Sequence, residues 1–271
     1  MPNHTTNTLS RLFGSFASTA FWSPVQRLIN TTYVKSLGLD MGEFGAPASY
    51  STLNALFTRA LKAPRAFDSD PKTIIAPCDS YITHVGRVEQ GTALQIKGMR
   101  YEVRDFLTSH ITDQGAQAVE HALYMNFYLS PRDYHRYHAP MDMQIVRVVY
   151  VPGKLYPVNK PSLLRRENLF IENERVVIEA IAQGKRLFLV LVGALNVGNM
   201  VVNFEPAIET NTQTGVQKVF DYSNTFLKKG EEFGHFKMGS TIILIAQEGL
   251  LTPNVTSERK IAFGERIATC L

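Results

Sequence analysis

The sequence predicts an α+β protein, with N-terminal amphipathic helices followed by a predominantly antiparallel, β-rich core. Three observations carry this. Before Pro64, apolar residues recur at spacings of three and four. After Pro71 they gather into short runs rich in β-branched and aromatic residues, many separated by glycine or proline. Those runs follow one another without the regular helical spacers that a parallel sheet needs.

Each element has its own signal. Leu9, Leu12, Phe13, Phe16 and Ala20 fall on one face of a first helix. Ser23-Pro24 reads as a restart, with a capping serine and a proline in the first turn. Val25, Leu28, Ile29 and Tyr33 repeat the spacing, and Gly38 is the expected stop. A third helix is expected from Thr52 to Lys62, with Leu53, Leu56, Phe57, Ala60 and Leu61 inward and Pro64 beyond its end. Strands are expected at 81–88, 93–96, 121–129, 143–151, 175–181, 186–192, 197–204 and 241–246, and Gln183-Gly184 reads as a hairpin turn. The polar stretch from Glu205 to Gly215 reads as a surface loop. These signals divide the chain into a helical N-terminal region, 1–65, and a β-rich domain, 66–271.

Composition narrows the function. Of 271 residues, 45% are hydrophobic and 19% charged, enough to build a core. A net charge of +4 is too small to argue for nucleic acid, and none is expected as a partner; it suits contact with anionic lipid. Two cysteines, Cys78 and Cys270, make no disulfide framework, and without a CxxC no metal is expected. No secretory signal and no run of about 20 apolar residues is present, so membrane contact is expected to be peripheral. Arg11, Arg27, Lys35 and Trp22 on the first two helices fit a helix lying in a lipid interface, but on these residues alone a helix packed on its own domain is favoured.

Three polar clusters could carry chemistry. In LSPRDYHRYHAP, His135 and His138 stand three apart between two prolines, most simply in a short turn after a strand. They suit acid/base work first, hydrogen bonding second and metal ligation third, which leaves a metallohydrolase as a rival reading. In APCDS, Asp79 is either a turn residue or a carboxylate that orients a histidine. In KKGEEFGHFKMGST, Gly239-Ser240-Thr241 leads into an apolar strand. GALNVGNM lacks the Lys-Ser/Thr of a phosphate loop, so nucleotide binding there is excluded.

Taken together, and in this order along the chain, LNALFTRALK, PCDS, QIKGMRYEVRDFL, LSPRDYHRYHAP, YVPGKLYPVN, NERVV with LVGALNVG, and KGEEFGHFKMGST resemble the bacterial-type phosphatidylserine decarboxylase family. Cys78 and Ser80 stand where family members commonly have Ala and Gly, and Met238 where many have Leu. The glycine change matters if the backbone there takes a positive φ.

The resemblance implies a proenzyme that cleaves itself between Gly239 and Ser240. The Ser240 hydroxyl attacks the Gly239 carbonyl and shifts the acyl group from nitrogen to oxygen. Elimination gives dehydroalanine, and hydrolysis leaves a pyruvoyl group and ammonia. Asp79, His138 and Ser240 match the self-cleavage triad, with His138 as base and Asp79 orienting it. His135 matches the residue of the decarboxylation step. The pyruvoyl group on Ser240 is the covalent cofactor and forms a Schiff base with the substrate amine. The implied products are chains 1–239 and 240–271, which stay associated. The implied substrate is phosphatidylserine and the product phosphatidylethanolamine, made by a peripheral enzyme at the cytoplasmic side of the cell membrane, with a homo-oligomer left open. A pyruvoyl decarboxylase of another amino acid and a non-catalytic lipid-binding relative are the alternatives.

Overall fold

A computed structural model of the chain describes residues 5–96, 99–158, 160–195, 199–212, 215–237 and 240–271. Helices α1 (Thr5–Ser18) and α2 (Ser23–Leu37) come first, and Gly38 closes α2 in the left-handed conformation at φ 62°. Ser23 is not the cap: Trp22 holds that position without a side-chain bond, and Ser23 starts the helix with Pro24 behind it. The expected third helix is only α3 (Leu53–Phe57), capped by Thr52, whose side chain accepts from Ala55 N–H. Beyond it the helical bonding lapses: the Arg59 N–H turns to the Leu56 carbonyl, the Lys62 N–H donates to the Glu43 carbonyl, and the Thr58 carbonyl accepts from Arg136 Nε at 3.0 Å. Ala60, expected inward, is exposed, and Arg59 is buried instead.

The remainder is mostly strand: β1 (Thr73–Ile75), β2 (Ser80–Arg87), β3 (Thr92–Ile96) and β4 (Met99–Glu102), then short helices α4 (Val103–Leu107) and α5 (Asp113–Gln117). Next come β5 (Leu123–Leu129), β6 (Arg136–His138), β7 (Met143–Val151), and short helices α6 (Lys160–Leu163) and α7 (Leu169–Glu172). The chain continues through β8 (Arg175–Ala182), β9 (Lys185–Val192), β10 (Asn199–Val202), β11 (Lys218–Leu227), β12 (Glu232–Lys237), β13 (Ser240–Ala246), β14 (Leu251–Pro253), β15 (Arg259–Ile261) and β16 (Arg266–Cys270). The α+β reading holds, and Gln183 and Gly184 (φ 49° and 74°) form the expected tight turn between β8 and β9. Of the strand expected at 197–204, residues 197 and 198 lie outside the described residues.

An eight-stranded sheet ordered β11-β7-β8-β9-β13-β5-β2-β15 forms the centre, and all its pairings are antiparallel. β13, with sequence STIILIA, is buried along its whole length between β9 and β5. One face, carrying Ile242, Leu244, Leu189 and Phe127, packs on Tyr137, Phe233, Phe236 and Met200 of the small sheet β10-β12-β6. The other, carrying Ile243, Ile245, Val190 and Val177, packs on Leu53, Leu56 and Phe57 of α3 and on Phe106 and Phe170.

α1 and α2 depart from the expected pattern. The face Leu9–Leu12–Phe13–Phe16 splits: Phe13 packs against the core, while Leu9, Leu12 and Phe16 face solvent. Buried α1 positions include Ser10 and Ala17, and in α2 the buried residues are Gln26 and Asn30. Gln26 Nε2 donates to Asn30 Oδ1 at 2.8 Å, and Asn30 Nδ2 donates to the carbonyls of Pro47 and Tyr50. Trp22, Val25 and Leu28 are exposed. Among the described residues, no helix is long and apolar enough to cross a membrane.

Candidate active site

Register places Ser240. It opens β13 opposite Leu129 of β5; Thr241 lies between Tyr128 and Val192, and Tyr128 lies opposite Tyr81 of β2. The ends of these strands therefore coincide. Asp79, just before β2, is two strand spacings from Ser240, roughly 10 Å. Ser240 is fully buried, and its Oγ has no hydrogen-bond partner among the described residues. Met238 and Gly239, the latter half of the expected cleavage site, lie outside the described residues.

The segment after Leu129 brings in the histidines. The Ser130 N–H donates to Asp133 Oδ2 at 2.7 Å and closes a turn, and the chain then enters β6. The expected short turn is therefore a turn followed by a strand, and His138 lies in the strand while His135 precedes it. β6 pairs with β12, whose end leads toward Ser240. His135 is fully buried, with its ring 4.0 Å from that of Phe57. Its Nδ1 lies 2.8 Å from the Asp133 carbonyl oxygen. A carbonyl can only accept, so the neutral ring carries its proton on Nδ1. Nε2 keeps its lone pair and has no partner among the described residues. Burial, opposed by the Asp133 carbonyl and aided by the Arg59 charge, pushes the His135 pKa down to about 3.

His138 is fixed differently. Its N–H donates to the Pro77 carbonyl (2.8 Å), tying it to the APCDS segment. Nδ1 donates to the Gly230 carbonyl at 2.9 Å, and Nε2 accepts from the Tyr134 hydroxyl at 3.0 Å. Burial, opposed mainly by the Gly230 carbonyl, pushes its pKa down to about 4.

Asp79 accepts from Arg65 (Nη1 to Oδ1 2.5 Å, Nη2 to Oδ2 3.0 Å) and from the Phe263 N–H (2.8 Å). Arg65 also pairs with Glu43. The Phe263 ring stacks on His138 with centroids 3.7 Å apart. Asp79 and His138 thus share one cluster, but both imidazole nitrogens are held by other groups. The carboxylate reaches the imidazole as a charge beside Phe263, and not through a hydrogen bond.

Sequence reasoning singled out Asp79, His135, His138 and Ser240 and missed the residues that hold them: Arg59, Arg65, Tyr134, Gly230 and Phe263. Arg59, Tyr134 and Gly230 lay inside recognised motifs, so their position was available and their contacts were not. Beside this end of the sheet lies a cavity of about 270 Å³ bounded by Tyr81, Tyr128, Ser130, Asp133 and Lys260. Among the described residues no group of three or more His, Cys, Asp or Glu side chains could hold a metal ion.

A family model described as phosphatidylserine decarboxylase matches residues 53–269, spanning the sheet, both histidines and Ser240. The chain belongs to the phosphatidylserine decarboxylase family. It is 46% identical to the phosphatidylserine decarboxylase proenzyme of Helicobacter pylori over 96% of both chains. It is 44% identical to that of Campylobacter jejuni, covering 96% of this chain and 97% of the other. The proenzyme of Marinobacter nauticus is 32% identical, over 95% and 91%. Ser80, one of the departures from the motif noted above, carries no backbone strain: it opens β2 and is not among the residues with positive φ. Cys78 is fully buried, and burial raises its thiol pKa, so the thiol is an inert core group.

Proposed function

We propose that this chain is a proenzyme that cleaves itself between Gly239 and Ser240 and then decarboxylates phosphatidylserine to phosphatidylethanolamine with a pyruvoyl group derived from Ser240. The observation that carries the reading is that two of the matched residues keep a buried polar atom unengaged: Ser240 Oγ and His135 Nε2, each without a partner among the described residues. A buried polar atom left without a partner costs free energy, and such costs cluster where chemistry needs the atom free.

The residues present fit the cofactor. Ser240 begins a strand locked on both sides, so a chain end created there stays in place after the backbone opens. A pyruvoyl group at this position would supply the electron sink that loss of CO2 from an amino acid requires. In self-cleavage, His138 takes the Ser240 proton once the Tyr134 hydroxyl releases Nε2, and the Asp79 charge favours the imidazolium that results. In decarboxylation, the neutral His135 presents Nε2 to the substrate, and the Phe57 ring over it keeps water away. Lys260 and Asp133, of opposite charge at the neighbouring cavity, suit a zwitterionic headgroup. The exposed apolar residues of α1 and α2 favour lipid over a free amino acid and support reading residues 1–65 as the membrane-associating region of a peripheral enzyme and 66–271 as its catalytic domain.

Intact-mass measurement tests the reading. The active protein should give two chains, 1–239 and 240–271, the second bearing a carbonyl at its first residue that borohydride reduces. Ser240→Ala should remain one chain and form no phosphatidylethanolamine. A wild-type enzyme that is active as a single uncut chain sinks the proposal.

A further inference from the structure

Arg59 lies in a motif that the chemistry so far leaves unused. It follows α3 and is 2% exposed, an unusual place for a cation. Its guanidinium sits 4.5 Å above the Phe44 ring. Nη2 donates to the carbonyls of Arg132 (2.9 Å) and Asp133 (3.3 Å). Nε and Nη1 are buried without a partner among the described residues. An arginine placed for stability would have its donors matched; leaving two unmatched in the interior costs folding free energy.

The Asp133 carbonyl is where Arg59 meets the chemistry, because the same oxygen receives His135 Nδ1 at 2.8 Å. Two donors from different elements therefore converge on one acceptor. Arg59 also holds the preceding carbonyl, so the Arg132–Asp133 backbone cannot turn away from the ring. The charged side chains around His135 are Arg59 and, in its own turn, Asp133, whose carboxylate is occupied by the Ser130 N–H.

We infer that Arg59 is the positioning residue of His135: it fixes the Asp133 carbonyl that holds the imidazole proton on Nδ1, so that Nε2 faces the substrate as a lone pair. This rests on the reading of His135 as the imidazole of the decarboxylation step. Arg59 acts through His135 and need not touch the substrate. The burial of His135 and the Arg59 charge push the titration the same way.

The test is nitrogen-15 NMR of histidine-labelled mature enzyme, joined to decarboxylation kinetics. Wild type should show His135 as the Nδ1–H tautomer with no titration above pH 5. Arg59→Met should show mixed tautomers and an upward shift in the His135 titration. Its kcat should fall about 10- to 100-fold, the range for losing a partner that orients a working histidine. KM should change less, and the acid limb of the kcat–pH profile should move upward. Its thermal midpoint should hold or rise, since two unmatched donors are gone. Arg59→Lys keeps the charge but brings one nitrogen to two carbonyls; it should restore the low titration and only part of the rate. A wild-type Nε2–H tautomer overturns the inference, and that measurement stands even if Arg59→Met does not fold. So does an unchanged tautomer and pH profile in Arg59→Met. Full decarboxylation by mature His135→Gln overturns instead the role given to His135, and the tautomer measurement still decides the part assigned to Arg59.

Discussion

Buried imidazoles that stay neutral shape the site's response to acid. His138 titrates at about 4 in the folded chain and near 6.5 when unfolded. Between those values the unfolded chain holds a proton that the folded chain does not, so falling pH favours unfolding. His135 (about 3) and His235 (about 4), both pushed down by burial, act with the same sign. Glu174 acts oppositely. It is buried, and burial, opposed by bonds from the Tyr150 hydroxyl and the Asn211 N–H, pushes its pKa up to about 7. Its stabilising contribution is complete below the unfolded value near 4.5 and is lost as pH rises through 7. Uncut Ser240→Ala protein should therefore have a lower denaturant midpoint at pH 5 than at pH 7. The drop should steepen in a Ser240→Ala/Glu174→Gln double variant, which removes the compensating acid. A midpoint that is flat or rises toward pH 5 would contradict neutral imidazoles in the folded site.

Helices α1 and α2 bury polar and small residues, Ser10, Ala17, Gln26 and Asn30, beside Phe13, Ile29, Tyr33 and Val34, and leave other large apolar residues outward. Leu9, Leu12 and Phe16 form a row on α1 at spacings of three and four, and Trp22, Val25 and Leu28 form another at the start of α2; Trp22 is 77% exposed and Leu28 68%. Large apolar side chains exposed in rows of this kind fit an interaction surface. Arg11, Arg27 and Lys35 on the same helices complement anionic lipid. Burying one large side chain is worth about 1.5–3 kcal/mol, so each truncation should weaken lipid partitioning roughly tenfold or more. Sedimentation with phosphatidylserine/phosphatidylcholine vesicles should show that loss for Trp22→Ala and Leu28→Ala, with self-cleavage intact. Phe13→Ala should instead lower thermal stability, because Phe13 packs on the core. Equal vesicle binding by wild type and Trp22→Ala/Leu28→Ala would remove the docking role.

At the scale of the whole molecule, the segment 240–271 is woven through two sheets. β13 lies between β9 and β5, β15 pairs with β2, and β16 pairs with β1 and β14. Ile242 to Ala246 are completely buried. A cut at 239/240 therefore opens the backbone without freeing the fragment. The two chains should co-elute in native gel filtration, separate only in denaturant, and unfold in one transition. Dissociation in native buffer would mean that the strand pairings do not survive cleavage.

What the residue pattern determined was local: α1 and α2, most of the longer buried strands, the Gln183-Gly184 turn, and the motifs that contain Asp79, His135, His138 and Ser240. Apolar spacing, turn chemistry and ordered motifs are properties of neighbouring residues, so they can be read along the chain. β6, β12 and the C-terminal strands escaped because they are short or polar, and pairing across the chain makes them strands. Only tertiary structure decided that Arg65 holds Asp79, that Tyr134 and Gly230 hold His138, and that Arg59 and His135 meet on one carbonyl. Apart from the local bonds of Tyr134 to His138 and of His135 to the Asp133 carbonyl, those contacts join residues 14 to 92 positions apart, and they depend on how the strands register and not on which residues adjoin. It also decided which faces of α1 and α2 point outward, since two amphipathic stripes at the same spacing are equivalent until a core chooses one.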